Sequence, residues 1–272
     1  MSDLDLKAYF SRIGYKGFSS PTLKTLKSIQ QKQARTIPFE NLDVLWNRTI
    51  DIDLASVQKK LIQKKRGGYC FEQNMILCEV LIALGFSVKM LTARAMYRVP
   101  AGVVRPRTHM IMRVSLPEGD YLADAGFGGL SLPEPLKFEM GVEQKTSHGL
   151  YRMIEAGDEI EIEAVVGSNW EKLYCIASNE QIFEDYLLQN WYIYAHPQSH
   201  FRPNLMVARV ANEGRYALQN LNWSFYPLTG SIEKKKLESV QELLEVLKKD
   251  FLLELKEERD LKDLETLVKG WL

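Results

Sequence analysis

Apolar positions recur at three- and four-residue intervals through residues 1–85 and alternate from Ser87 onward, so the chain predicts helices first and strands after. Leu4 to Ile13 is a short amphipathic segment. Pro21, preceded by Ser19 and Ser20, predicts the first turn of a second helix running towards Arg35. IPFENLDVL, at 37–45, reads as a loop or a short extended piece. Asp53 predicts the cap of a third helix over 54–65. Cys70 opens a fourth that ends at Gly85, a suitable residue just past a helix end. This fourth segment, CFEQNMILCEVLIAL, is apolar on nearly every side after its first turn, which predicts a central, buried helix in which Cys78 packs.

Alternation then marks strands over 87–97, 107–115, 120–124, 150–156, 159–167 and 170–177, separated by Gly, Pro and Asp turns. The pattern is that of a small antiparallel barrel or sandwich. A helix near 181–194, strands near 205–211 and 215–221, and a closing helix near 239–256 follow; LKEERDLKDLETLVKGWL extends that helix or forms another. No disordered linker separates the helical, β and mixed parts.

Charge removes several classes of function. Lys plus Arg equal Asp plus Glu at 35 each, so no polyanion-binding surface is expected and nucleic acid is not an expected partner. The basic runs KKK at 234–236 and KKRGG at 64–68 are short enough to be solvated faces. The acidic start MSDLDLKAYF lacks the features of a signal peptide, and no apolar run approaches the roughly 18 residues of a membrane span. Cys70, Cys78 and Cys175 are odd in number and contain no CxxC pair; disulfides and zinc are not expected, and a reducing cytoplasm is. His196 and His200 in HPQSHF have no cysteine or carboxylate at ligand spacing, so that stretch reads as a loop and no metal is expected.

The candidate chemistry begins at RGGYCFEQN, residues 66–74. A cysteine at a helix mouth meets the positive end of the dipole and unpaired N–H groups, which favour negative charge on sulfur. Gly67 and Gly68 would keep side chains away from the approaching substrate and permit unusual backbone angles, and their amides or that of Cys70 would suit an oxyanion. The competing reading is a buried structural cysteine behind a glycine turn. A nucleophilic cysteine needs a base, and the base an orienting group. His109 lies in the alternating segment PRTHMIMRV, with SLPEG and DYLADAGFGG behind it. With SLPE, 115–118, as a four-residue hairpin loop, Val114 faces Gly119, Arg113 faces Asp120, Ile111 faces Leu122 and His109 faces Asp124. GFGG, 126–129, is too short for a dinucleotide fingerprint and offers a bare backbone with Phe127 beside Asp124.

In these motifs the sequence closely resembles the arylamine N-acetyltransferases. RGGYCFEQN matches the family's cysteine motif, THMIMRV its histidine strand and YLADAGFGG its aspartate segment; IPFENLDV and HPQSHF match two further stretches. The resemblance covers most of 35–205 in the family's order and is weaker in the C-terminal third. It implies an α+β fold with a helical bundle over 1–85, a central antiparallel β barrel over 86–190 and an α/β lid over 191–272, around a cysteine-protease-like core. It implies acetyl transfer from acetyl-CoA to an arylamine, arylhydroxylamine or hydrazine by a ping-pong route. Cys70 would be the nucleophile, His109 its base and Asp124 the orienting residue. Phe39, Tyr69, Phe127 and Phe201 would surround the acceptor, while Thr108, Gly126, Gly128 and Gly129 would line the path of the pantetheine arm. Arg66 and Glu40 resemble a structural ion pair of the family. Papain-like hydrolases, transglutaminases and a non-catalytic binder of the same fold stay as alternatives. Oligomeric state and the physiological amine are left open.

Overall fold

A computed structural model describes residues 4–100 and 102–271. The helical start consists of α1 (Leu6–Ile13) and α2 (Leu23–Thr36). Pro21 lies outside α2: Thr22 is the N-cap, its hydroxyl accepting from Thr25 N, so the proline precedes the cap instead of opening the helix. IPFENLDVL divides into β1 (Phe39–Glu40) and the single turn α3 (Leu42–Leu45). The expected helix over 54–65 starts as α4 (Leu54–Val57), capped by Asp53, and then widens into a π-helical turn at Gln58–Gln63. The wide turn buries Leu61 and Ile62 while Lys60 Nζ reaches Asp43 and Glu72, at 2.6 and 2.7 Å. Next comes α5 (Cys70–Ala83), which ends with Gly85 at φ +84°, as expected.

Antiparallel strands then build a curled eight-stranded sheet: β2 (Ser87–Ala95), β3 (His109–Leu116), β4 (Gly119–Ala123), β5 (Leu136–Lys137), β6 (Gln144–Thr146), β7 (Gly149–Ala156), β8 (Glu159–Val166) and β9 (Asn169–Ala177). Their order is β5-β4-β3-β2-β9-β8-β7-β6. The two ends of the sheet meet through Gln144, whose side chain bonds both the N–H and the carbonyl of Lys137 at 2.7 Å. Leu91, Ile111, Leu122, Tyr151 and Ile162 fill the inside of this nearly closed barrel.

Helix α6 (Phe183–Ala195) crosses back over the expected boundary at 190, with the Tyr186 hydroxyl donating to the Leu91 carbonyl of β2. Four strands follow: β10 (Met206–Val210), β11 (Gly214–Gln219), β12 (Asn222–Pro227) and β13 (Glu233–Lys236). The last two were not foreseen. β13 is wholly exposed and carries the KKK run, the charge by which sheet edges resist further pairing. These strands join β1 in a second sheet of order β1-β10-β11-β12-β13, so residues 39–40 serve as the opposite edge of a sheet made 166 or more residues later. Finally α7 (Val240–Lys249) and a separate α8 (Glu258–Lys269) pack their apolar faces on this sheet through Leu243, Leu247, Leu264 and Val268. The expected single helix to 256 therefore stops at Lys249. Among the described residues no helix is long and apolar enough to cross a membrane.

Candidate active site

The first turn of α5 is anchored by charge. Glu72 accepts from Tyr69 N at 3.0 Å and pairs with Lys60, satisfying an N-terminal donor of the helix. Burial, with Glu40 and Asp43 nearby, pushes the Glu72 carboxyl up to about 7 in spite of Lys60. Around it Arg66 pairs with Glu40 at 2.8 Å and reaches Asp260 of α8 at 3.3 Å, so the buried network ties the C-terminal helix to the cysteine segment.

Gly67 and Gly68 have a different task from the one expected. Neither has positive φ and neither lines the cavity described below. A Cβ on Gly67 would stand 2.3 Å from the Pro38 carbonyl oxygen, and one on Gly68 2.7 Å from the Glu72 carboxylate. The glycines let the 66–69 segment lie against β1, where Gly68 N donates to Pro38 O and Glu40 N to Gly68 O, each at 3.2 Å. The Gly68 amide is thereby used within the fold.

Cys70 is 5% exposed and its Sγ lies 3.6 Å from the Thr108 carbonyl. His109, at the start of β3, places Nε2 2.8 Å from Asp124 Oδ2. Asp124 is fully buried; its Oδ1 accepts from Asn74 Nδ2 at 2.9 Å and Gly126 N at 2.8 Å. Asn74 stands one turn beyond Cys70 and also accepts from Ala125 N at 2.8 Å, so α5 itself fixes the carboxylate. Burial works against a charged imidazole, yet the Asp124 carboxylate, helped by Cys70, holds His109 up to about 10. Burial likewise opposes the Asp124 charge, but His109, Asn74 and Gly126 N keep its carboxyl below the ordinary range.

The β3–β4 register differs from expectation. Leu116 faces Gly119, Ser115 faces Asp120, Arg113 faces Leu122 and Met112 faces Ala123, so the turn is two residues long, Pro117-Glu118. The slip from the expected register is two residues, and a two-residue slip preserves the sheet face. His109 and Asp124 therefore meet diagonally, and Arg113 still bonds Asp120, at 2.7 Å from Nε.

Cys70 and His109 open onto a cavity of about 520 Å³. Phe39, Phe127 and Phe201 line it, as do Thr108, Gly126, Gly128 and Gly129. Tyr69 does not. Its ring is fully buried behind Phe201, at 6.1 Å between centroids, and its hydroxyl bonds Asn190 of α6, which makes it a support for the wall. A Cβ on Gly126 would meet Cys70 Cα at 2.8 Å, so this glycine permits the close passage of the aspartate loop over the helix mouth. Residues of the second sheet, among them Met206, Ala217, Gln219 and Ser224, close the far wall. They went unnoticed in the sequence, which has no local sign that β11 and β12 face Cys70; Asn74 did carry a sign, its four-residue spacing from the cysteine. His196 stacks on Tyr192 at 4.7 Å and His200 packs on Phe201 at 4.4 Å; among the described residues no three metal-ligating side chains converge. A sulfur beside an imidazole whose far nitrogen is bonded to a buried carboxylate is an arrangement capable of nucleophilic acyl transfer.

Comparison with known proteins gives the family. A sequence model described as N-acetyltransferase matches residues 22–260. The chain is 37% identical to the arylamine N-acetyltransferase of Escherichia coli (strain K12) over 247 residues, 90% of this chain and 88% of that one. It is 36% identical to the arylamine N-acetyltransferase of Mycolicibacterium smegmatis over 256 residues, 93% of each. Among solved structures it is similar to the Mycobacterium marinum arylamine N-acetyltransferase in complex with CoA, with a TM-score of 0.93 at 32% identity, covering 98% of this chain and 99% of that one. The chain belongs to the arylamine N-acetyltransferase family.

Proposed function

We propose that the protein moves the acetyl group of acetyl-CoA to the nitrogen of an arylamine, arylhydroxylamine or hydrazine by a ping-pong route through acetyl-Cys70. The observation that carries this reading is that Cys70 and His109 lie side by side on one aromatic-walled cavity, with the buried Asp124 bonded to His109 behind them. Cys70 acts as nucleophile, His109 as base and Asp124 as the group that orients His109. Since Nε2 is committed to Asp124, Nδ1 is the nitrogen that exchanges a proton with sulfur. His109 takes the Cys70 proton and Sγ bonds to the thioester carbonyl carbon. Collapse breaks the bond to the CoA sulfur, which leaves as a thiol with the proton from His109. In the second half the neutral amine attacks acetyl-Cys70 and gives a proton to His109; the C–S bond breaks and Cys70 is regenerated.

The cavity suits the acetylated end of the donor and an aromatic ring in turn. The nucleotide of CoA is assigned to the mouth, where Arg98 lines the cavity and lies exposed. Thr108 and the bare backbone of Gly126, Gly128 and Gly129 are assigned to the pantetheine arm. Phe39, Phe127 and Phe201 are assigned to the acceptor ring, where they also limit the placement of water. Residues 1–85 then supply the nucleophile, 86–190 the histidine and aspartate, and 191–272 the far wall. A reducing cytoplasm fits the three unpaired cysteines. Thiol release from acetyl-CoA, measured with and without a simple arylamine or hydrazine, tests the reading: release that depends on the amine and yields acetylated amine is expected. Release that is indifferent to the amine would instead make the protein a thioester hydrolase.

A further inference from the structure

One buried guanidinium holds the turn that follows Asp124, from the side away from the cavity. Arg215, near the start of β11, is 7% exposed. Its Nη1 donates to the Ser131 carbonyl at 2.9 Å and reaches the Gly129 carbonyl at 3.5 Å; its Nη2 donates to the Tyr151 hydroxyl of β7 at 2.7 Å. Among the described residues these partners are all neutral, with no carboxylate among them. Burying a cation on neutral acceptors carries a desolvation cost that an apolar side chain of the same size would avoid. What the guanidinium offers in exchange is a rigid planar fork that fixes several acceptors at once.

The acceptors it fixes belong to the cavity wall. The turn is closed internally by Gly128 N donating to Ser131 Oγ at 2.8 Å and Ser131 N donating to Gly128 O at 3.0 Å. Its inner side, Gly128 to Leu130, lines the cavity, and Gly128 adopts φ +88°. Farther along the strand that carries Arg215, Ala217, Leu218 and Gln219 line the cavity as well. Arg215 thus bonds one wall while the strand that carries it supplies another, so its side chain links the two. Cys70, His109 and Asp124 are held by other means: Asn74 grips Asp124 from α5, and Gln30 Nε2 donates to the Asp124 and Leu132 carbonyls at 3.2 Å.

We infer that Arg215 is a positioning residue for the thioester donor, clamping the Gly128–Ser131 turn to β11 and so setting the channel that the pantetheine arm follows to Cys70. The inference rests on the function proposed above and deepens it.

The test compares two acetyl donors, acetyl-CoA and p-nitrophenyl acetate, the second of which has no pantetheine arm, on wild type, Arg215→Met, Arg215→Lys and Tyr151→Phe. Arg215→Met is expected to lower kcat/KM for acetyl-CoA on the order of tenfold, mainly through KM, from the loss of charge-assisted hydrogen bonds to the turn. Acylation by p-nitrophenyl acetate should stay near the wild-type rate, and Arg215→Lys should fall between, since an ammonium keeps the charge without the fork. Tyr151→Phe removes one of the guanidinium's anchors at a residue that does not line the cavity, so a smaller loss selective for acetyl-CoA is expected. If the Arg215 variants do not fold, this variant decides. Equal losses with both donors, or unchanged acetyl-CoA kinetics in a folded variant, would overturn the inference. A wild-type protein that accepts acetyl from neither donor would overturn the proposed function itself, which is a separate result.

Discussion

Replacing Asp124 by Asn keeps the shape of the site and changes one proton. In the wild type Asp124 Oδ1 accepts from Asn74 Nδ2 and Gly126 N, and Oδ2 faces His109 Nε2 at 2.8 Å. An asparagine satisfies the two donors on the Oδ1 side only by presenting its carbonyl there, which turns its NH₂ towards His109. Nε2 must then be the acceptor, and the imidazole proton moves to Nδ1, the nitrogen that should receive the proton of Cys70. The histidine is left in the wrong tautomer. It also loses the carboxylate that contributes most to holding it near 10, so burial, opposed only by Cys70, disfavours the imidazolium. The hydrogen bonds of the buried site are otherwise conserved, so the fold should survive with a modest loss, about 1–3 kcal/mol for the charge-assisted bond to His109. Turnover should fall by about 10³- to 10⁴-fold, the scale on which orienting carboxylates act in such triads. Thiol release from acetyl-CoA with an arylamine measures the loss, and circular dichroism with a denaturation midpoint establishes that the variant is folded. A folded Asp124→Asn protein with near-normal turnover would refute the role of Asp124.

Three further outcomes follow from buried groups. Arg66→Met should cost about 3–5 kcal/mol in chemical denaturation, because Glu40, fully buried, is left as an unpaired charge; a change below about 1 kcal/mol, the scale of a surface ion pair, would contradict this. Phe201→Ala should weaken use of arylamines more than acylation by acetyl-CoA, since Phe201 lines the cavity beside Phe39; equal losses in both half-reactions would count against an acceptor role. The stability gap between wild type and Asp124→Asn should depend on pH. His109 is raised from 6.5 to about 10, so its contribution is complete below pH 6.5 and is lost as pH rises through about 10. Asp124 is lowered, so its contribution is present above the usual carboxylate value of 3.8 and is lost as pH falls through its folded pKa. Denaturation midpoints should therefore differ most near pH 5–6 and converge towards pH 10; a gap that stays constant from pH 6 to 10 would contradict the raised His109.

The local part of the site could be read along the chain, and the assembled part could not. Helix α5, its end at Gly85 and the alternation of β2 to β4 and β7 to β9 follow from periodicity and turn residues, which act over a few positions, whereas the short β5 and β6 carry no such pattern. The hairpin shows where that ends: the face shared by His109 and Asp124 was legible, while the loop length was not, because registers two apart bury the same side chains. The glycines of RGGYC illustrate a signal with a different cause. Their need is set by Pro38 and Glu72, and only the folded packing reveals which neighbour forbids a Cβ. The same holds for Tyr69, an aromatic beside the cysteine in sequence whose backbone conformation turns its ring under Phe201. Strand β12 forms by pairing with β11, and β13, whose four residues are all charged, by pairing with β12, a tertiary cause that local propensity does not carry.

Acetyl transfer through Cys70 is tested most directly by mass. Incubated with acetyl-CoA and no amine, the protein should gain one acetyl group, located on the peptide that contains Cys70, because a ping-pong enzyme stops at its acyl intermediate when no acceptor comes. Adding an arylamine or hydrazine should clear the label and produce the acetylated amine. Cys70→Ala should remain unlabelled, and Cys78→Ala, whose sulfur is buried in α5 away from the cavity, should label as the wild type does. A protein that carries no acetyl group on Cys70 under these conditions, yet still acetylates the amine, would contradict the covalent route.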